Sequence, residues 1–126
     1  MRALQIIESG YRCNLEEQDD PAVWISQVLY GLDNSADILL RGNAVNYLVT
    51  GQDASGLTFG SITHQQTSRL DLDLANCLKT GMKVYAIVED LEVRGVPQSK
   101  LIPGINQIKR KELPVVFEEY DQIWHW

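Results

Sequence analysis

The fold is decided by Ala3-Leu-Gln-Ile-Ile-Glu-Ser-Gly-Tyr-Arg-Cys13-Asn-Leu-Glu-Glu-Gln-Asp-Asp-Pro21. The run from Ala3 to Ile7 is mostly apolar, which predicts a short strand buried on both faces, as in parallel sheets. Asp20 and Pro21 predict a helix start, because aspartate caps helices and proline fits their first position. The stretch therefore predicts a parallel strand, a loop and a helix.

The loop inside this stretch is the first candidate for a functional site. About ten residues separate the predicted strand from the predicted helix, more than the usual two to six. In open α/β sheets, ligands bind at the loops that follow the carboxyl ends of strands. This loop carries Tyr11, Arg12 and Cys13, and cysteine is the most reactive residue type in it.

The rest of the chain alternates between strands and helices. Further strands are predicted at Ala36–Leu40, Val84–Val88, Ile105–Ile108 and Gln122–Trp126, and helices at Pro21–Leu32, Ala44–Val49, Leu70–Leu78 and Lys111–Tyr120. Crossovers of this kind produce a parallel sheet with helices on both faces. We therefore expect one domain over residues 1–126, a flavodoxin-like three-layer α/β sandwich with about five mostly parallel strands. Thr50–Ser68 is the least regular segment, and we interpret it as a lid or an interface segment.

Composition excludes several classes of function. The net charge of −6, from 17 acidic and 11 basic residues, disfavours nucleic-acid binding, which needs a basic surface. No apolar run approaches the roughly 18–20 residues of a membrane span, and the N-terminus does not resemble a signal peptide. We expect a cytoplasmic protein. The two cysteines and two histidines lack zinc-site spacing, and nucleotide motifs are missing, so we expect neither metal nor cofactor.

The loops after the first three strands should meet at one edge of the sheet. The predicted catalytic residue there is Cys13, and the predicted binding residues are Tyr11, Arg12, Arg41, Asn43, Glu89, Asp90 and Arg94. Nearby arginines favour the thiolate, the reactive form of cysteine. Four acidic residues between positions 16 and 20 disfavour it. The residues alone leave open whether Cys13 is reactive or a spectator.

Two other features have simpler interpretations. Cys77 lies on the apolar face of a predicted helix, which indicates a buried and inert thiol. Alternation along the last strand places Trp124 and Trp126 on one face and His125 on the other. For that strand we favour packing or a subunit contact over catalysis.

A family resemblance lies in Lys83-Val-Tyr-Ala-Ile-Val-Glu-Asp-Leu-Glu-Val-Arg-Gly95, followed by Leu101-Ile-Pro-Gly104. An apolar strand, a polar segment ending in Arg-Gly and a Leu-x-Pro-Gly motif resemble the DsrE/DsrF-like (TusD-like) sulfur-relay family. The resemblance implies a flavodoxin-like domain that assembles into trimers or hexamers. It also implies transfer of sulfur, as a cysteine persulfide, to a sulfur-carrier partner protein.

The sequence departs from that family at its active cysteine. Sulfur-carrying members have this cysteine at the end of the third strand, about eight residues before the glycine that corresponds to Gly95. Ile87 occupies that position here. Cys13 takes over the role only if its loop reaches the same edge of the sheet.

Two hypotheses about function follow. The first is an intracellular sulfur-handling protein, sulfurtransferase-like, in which Cys13 carries a persulfide. Arg12 and Arg41 would stabilise its thiolate, with Glu89 or Asp90 as proton-transfer groups. The second is a non-catalytic oligomeric subunit, or a small-anion-binding module, of the same fold.

Overall fold

The structure, a computed structural model, describes residues 1–11, 19–33, 35–53, 56–63 and 67–126. In chain order its elements are β1 (Ala3–Ile7), α1 (Pro21–Asp33), β2 (Ala36–Leu40), β3 (Thr58–Phe59), β4 (Ile62–Thr63), α2 (Leu70–Lys79), β5 (Val84–Ile87), α3 (Val88–Val93), β6 (Asn106–Ile108), α4 (Leu113–Phe117) and β7 (Gln122–His125). Short 3-10 helices occupy Gly42–Leu48, Gln98–Lys100 and Arg110–Glu112.

Five strands form one parallel sheet in the order β6-β5-β2-β1-β7. Ile6 of β1 pairs with Leu39 of β2 on one side and with His125 of β7 on the other. All five carboxyl ends therefore point the same way, and the loops that leave them share one edge of the sheet. The predicted mostly parallel α/β fold is confirmed.

The two faces of the sheet are covered unequally. On one face Ile38, Leu40 and Val84 pack under α1, α2 and the 3-10 helix Gly42–Leu48. On the other face the buried side chains of β1, β2 and β5 meet mainly the short helix α4 and Tyr120. The result is a three-layer sandwich in which the second helical layer is thin.

The helix start at Pro21 forms as predicted. The Asp20 carboxylate accepts hydrogen bonds from the backbone N–H groups of Ala22, at 2.8 Å, and Val23, at 3.3 Å, so it caps α1. α1 has 13 residues, and no helix in the described ranges is long and apolar enough to cross a membrane.

Two local predictions were wrong, and a third segment contains a hairpin that was not predicted. β5 ends at Ile87 and runs directly into α3, which was not predicted. The helix expected over Lys111–Tyr120 is a 3-10 turn followed by α4, because Pro114 suits only a first helical turn. Thr50–Ser68 contains the antiparallel hairpin β3–β4, whose residues are all exposed; residues 54–55 and 64–66 lie outside the described part of the chain.

Candidate functional site

The loops that leave β1 and β2 touch at the carboxyl edge of the sheet. We call residues 8–20 the β1 exit, residues 41–43 the β2 exit and residues 88–95 the β5 exit. A β-carbon added to Gly10 would lie 3.3 Å from the carbonyl carbon and oxygen of Asn43. That approach is too close for a larger residue unless the β2 exit shifts, so glycine allows the two exits to meet.

Arg94 links the β5 exit to the β2 exit. Its Nε and Nη2 donate to the Asn43 side-chain oxygen at 3.1 and 2.9 Å, and its Nη1 donates to the Asp90 carbonyl at 3.2 Å. These contacts bring together Asn43, Asp90 and Arg94, three of the predicted site residues. They also use every nitrogen of the Arg94 guanidinium group.

Asp90 is the centre of a second set of contacts. Its buried carboxylate accepts the Gly42 backbone N–H at 2.9 Å and forms an ion pair with Arg110 Nη2 at 2.8 Å. The neighbouring Glu89 accepts the Arg110 backbone N–H at 3.0 and 3.1 Å. Both carboxylates therefore hold Arg110.

Arg110 was missed as part of this edge. The basic run at residues 109–111 directly follows the strand predicted to end at Ile108, and that position was the available signal. The run is exposed, as basic runs usually are, and its composition alone does not predict the contact between Arg110 and Asp90.

Arg41 is the least engaged of the predicted cations that the structure describes. Its Nε lies 3.9 Å from a Glu8 carboxylate oxygen, at the limit of an ion pair, and about a third of its side chain is exposed. The other Glu8 oxygen lies 2.7 Å from His125 Nε2. Arg41 thus keeps donor capacity at the junction of the β1 and β2 exits.

The described ends of the β1 exit are joined through one buried hydroxyl. Tyr47 is fully buried, and its hydroxyl accepts the Tyr11 backbone N–H and donates to the Asp20 carboxylate. The Tyr11 and Tyr47 rings also meet edge to face, with centroids 5.1 Å apart. Tyr47 therefore fixes both the start and the finish of the loop.

Tyr11 has a strained backbone. Its φ of 59° makes it the one non-glycine residue in the described ranges with a left-handed conformation. Such a conformation costs roughly 1–3 kcal/mol and persists where surrounding contacts impose it. One such contact is the hydrogen bond that the Tyr11 hydroxyl donates to Gln52 Oε1 at 3.0 Å. Gln52 is itself held in place, because its amide nitrogen donates to three backbone carbonyls. Strain of this kind is concentrated at functional sites.

Arg12 and Cys13, the remaining predicted site residues, lie outside the described residues. Cys77, the other thiol, is buried in the core as predicted. Burial raises the pKa of Cys77 to about 11, against the hydrogen bond from Gln27 and with a further contribution from the Asp73 charge. Cys77 is therefore protonated and unreactive at neutral pH.

The carboxyl end of strand β7 lies at the same carboxyl edge of the sheet. Trp124 and Trp126 lie on one face and stack with centroids 6.5 Å apart, as alternation predicted, while His125 contacts Glu8. Within the described ranges, no three His, Cys, Asp or Glu side chains are grouped closely enough to hold a metal ion.

The parallel five-stranded sheet, with helices on both faces and polar loops gathered at its carboxyl edge, defines a flavodoxin-like three-layer α/β fold. Two solved structures share it. The ychN protein from E. coli matches with a TM-score of 0.75 and 16% identity over 100% of both chains. MTH1491, a protein of unknown function from Methanobacterium thermoautotrophicum, matches with a TM-score of 0.66 and 15% identity over 98% of this chain and 97% of that one.

Sequence comparison adds no family assignment. No protein-family model matches the chain, and no curated protein matches it significantly. At identities of 15–16% the likeness to the two solved structures establishes the fold alone.

Proposed function

We propose that this chain is an intracellular sulfur-handling protein in which Cys13 carries sulfur as a persulfide. The observation that carries the proposal is the attachment of Tyr11 and Asp20 to Tyr47, because it holds both ends of the β1 exit at the carboxyl edge. Cys13 follows Tyr11 by two residues, a separation that an extended chain spans in about 7 Å. The family resemblance supplies the class of chemistry.

The proposed reaction is an exchange between sulfur atoms. The Cys13 thiolate attacks the terminal sulfur of a donor persulfide, a new S–S bond forms, and the donor S–S bond breaks with its electron pair on the departing thiolate. The thiolate of a sulfur-carrier partner then takes the terminal sulfur and releases the Cys13 thiolate. No external oxidant or reductant is needed, because one S–S bond replaces another at each step.

The charged groups at the edge divide into two roles in this proposal. Arg94 and Arg110 are occupied by Asn43 and Asp90, so we assign the β5 exit a structural role. Arg41 retains donor capacity beside Glu8, and we assign it stabilisation of the Cys13 thiolate, together with Arg12. Glu89 and Asp90 both bind Arg110, so we give proton transfer by either carboxylate a secondary role.

Intact-mass spectrometry after treatment with a persulfide donor tests the proposal. Wild-type protein should gain a sulfur mass of about 32 Da, since loading proceeds through the thiolate. The gain should disappear in Cys13→Ser and remain in Cys77→Ala, which controls for the buried thiol. A gain that survives in Cys13→Ser, or no gain in wild-type protein, would contradict the proposal.

A second candidate function is that of a non-catalytic oligomeric subunit, and β7 favours it. Ile123 and Trp124 are 44% and 47% exposed although both are large and apolar, and such residues together mark interaction surfaces. The resemblance supports a homo-oligomer, a trimer or a hexamer. Under this alternative, Cys13→Ser leaves assembly unchanged and wild-type protein takes up no sulfur.

A further inference from the structure

Strand β7 is an edge strand with one unpaired side. It pairs with β1, and no other strand in the described ranges pairs with it. The backbone N–H groups of Gln122 and Trp126 donate toward β1, to the carbonyls of Arg2 and Ile6. Because peptide groups alternate along a strand, the N–H and C=O groups of Ile123 and His125 point to the side of β7 opposite β1. They form an open template for another strand.

The sequence of β7 lacks the features that usually block such pairing. Residues 122–126 contain no lysine, no acidic residue and no proline, which are the common protections of an edge. The acidic residue just before them, Asp121, accepts the Arg2 backbone N–H at 2.8 Å. Ile123 and Trp124 are about half exposed, and residues 122–126 line a recess of about 540 Å³. The strand is therefore open in both its backbone and its apolar side chains.

The opposite edge, β6, is protected. It has three residues, and the Gln107 and Gln98 side-chain amides bond each other at 2.7 and 2.9 Å. A basic run at residues 109–111 follows it directly. Short length and adjacent positive charge both discourage edge pairing. Of the two edge strands of the sheet, β6 therefore has features that discourage pairing with another strand, and β7 lacks them.

We propose that β7 pairs antiparallel with β7 of a second copy of this chain, about a two-fold axis at Ile123. In this register Ile123 faces itself, and the two copies exchange N–H···O=C bonds there. His125 then lies opposite Asp121 of the partner subunit, and Gln122 opposite Trp124 of the partner subunit. The apolar Ile123 meets Ile123 of the partner subunit, and the His125 imidazole meets the carboxylate of Asp121 of the partner subunit. The strand is therefore self-complementary.

A register centred on Trp124 fits less well. It would place His125 opposite Ile123 of the partner subunit and leave Asp121 outside the pairing. The two-fold contact at Ile123 joins two sheets into one of ten strands. It gives the homo-oligomer proposed above an even number of subunits, so it fits a hexamer and not an isolated trimer. The inference does not depend on sulfur chemistry, because none of its residues belongs to the proposed thiol site.

Cross-linking at the two-fold axis tests this register. In a Cys13→Ser background, Ile123→Cys would face its own copy with Cα atoms about 5.5 Å apart, within the range of about 4.4–6.8 Å for disulfides. Mild oxidation should produce a disulfide-linked dimer whose yield is unchanged by tenfold dilution. Val115→Cys on α4, at a site that is 66% exposed, is the matched control and should give only a small, concentration-dependent yield.

A charge at the axis provides the second variant. Ile123→Lys should halve the mass measured by light scattering, whereas Val115→Lys should leave it unchanged, and circular dichroism should show both variants folded. Equal cross-linking at positions 115 and 123, or an unchanged mass in Ile123→Lys, would overturn the inference. Neither result bears on sulfur loading at Cys13, which is measured separately.

Discussion

The β1 exit and the β5 exit reach the same edge of the sheet but are held there differently. In the β5 exit the charged side chains bind groups on neighbouring segments, with Asp90 on Gly42 and Arg110, and Arg94 on Asn43. In the β1 exit the described ties run through Tyr47 to a backbone N–H and a helix-capping carboxylate. A gathering of charges at a carboxyl edge is therefore not by itself an open site.

This difference also concerns position 87, where Ile87 stands in place of the active cysteine of the sulfur-carrying family that the sequence resembles. β5 passes directly into α3 at Val88, so the position where sulfur-carrying members of the resembling family have their thiol is an apolar junction, Ile87–Val88. Asp90, three residues after Ile87, forms an ion pair with Arg110 on the segment that follows β6. The proposed function therefore places the thiol in the β1 exit, and variants in the two exits should separate structural from chemical roles.

The largest effect is expected for Tyr47→Phe. The variant leaves the buried Asp20 oxygen and the Tyr11 N–H without their shared partner, so we expect a loss of about 2–3 kcal/mol in the free energy of unfolding, measured by urea denaturation. Sulfur loading at Cys13 should slow in the protein that remains folded. Tyr30→Phe, which removes an exposed hydroxyl bonded to the Thr80 carbonyl, is the control. Equal losses in both variants would contradict the anchoring role of Tyr47.

Asp90→Ala should have a smaller effect on stability and none on loading. Gly42 loses the acceptor of its N–H, at a cost of about 1–2 kcal/mol, while the half-exposed Arg110 turns to solvent. Asp90→Asn keeps an acceptor and should lose less. Loss of sulfur loading in folded Asp90→Ala would show that the β5 exit takes part in the reaction. It would contradict the division into a structural β5 exit and a chemical β1 exit.

Asp73 provides a test at the far end of the β1 exit. Burial, with the charges of Asp19 and Asp71, raises its pKa from 3.8 to about 6. The folded state therefore binds more protons than the unfolded state between about pH 4 and 6, so this carboxyl makes stability fall as pH rises through that window. Asp73→Asn should flatten this fall, by on the order of 1 kcal/mol. An unchanged pH profile of unfolding would contradict the burial of the Asp73 carboxyl that raises its pKa.

The smallest effect is expected for Arg94→Ala. Its contacts with Asn43 are exposed to solvent, and exposed polar pairs contribute about 0.2–1 kcal/mol. Arg94→Lys should lose nearly as much, because a lysine cannot donate both bonds to Asn43. A loss above about 2 kcal/mol would exceed the usual range for such pairs and would show that the link between the β2 and β5 exits is a major support of the edge.

The sequence predicted those parts of the fold that depend on local rules. The apolar run of β1, the Asp20-Pro21 helix start and the alternation of strands with helices all have short-range signals. The β3–β4 hairpin and α3 were missed because their strands and helix are only two and six residues long and half of their residues are polar. A short polar element leaves little hydrophobic pattern to read.

The contacts at the edge were harder to predict because they join distant residues. Tyr47 lies 27 residues after Asp20, and Arg110 lies 20 residues after Asp90. Tyr47 falls within a predicted helix, where a tyrosine gives no sign that its hydroxyl will bind a capping carboxylate. The strands correctly indicated which loops meet, but the partners of each side chain depend on packing that spacing does not encode.

The proposed function requires that the Cys13 thiol in the β1 exit is activated while the Cys77 thiol stays inert. Limiting iodoacetamide at pH 7, followed by peptide mapping, measures both thiols in the native protein, with a peptide of residues 9–17 as the reference for an unperturbed Cys13. We predict that Cys13 reacts faster in the protein than in the peptide and that Cys77 reacts only after unfolding. A native Cys13 that reacts no faster than the peptide would contradict the account.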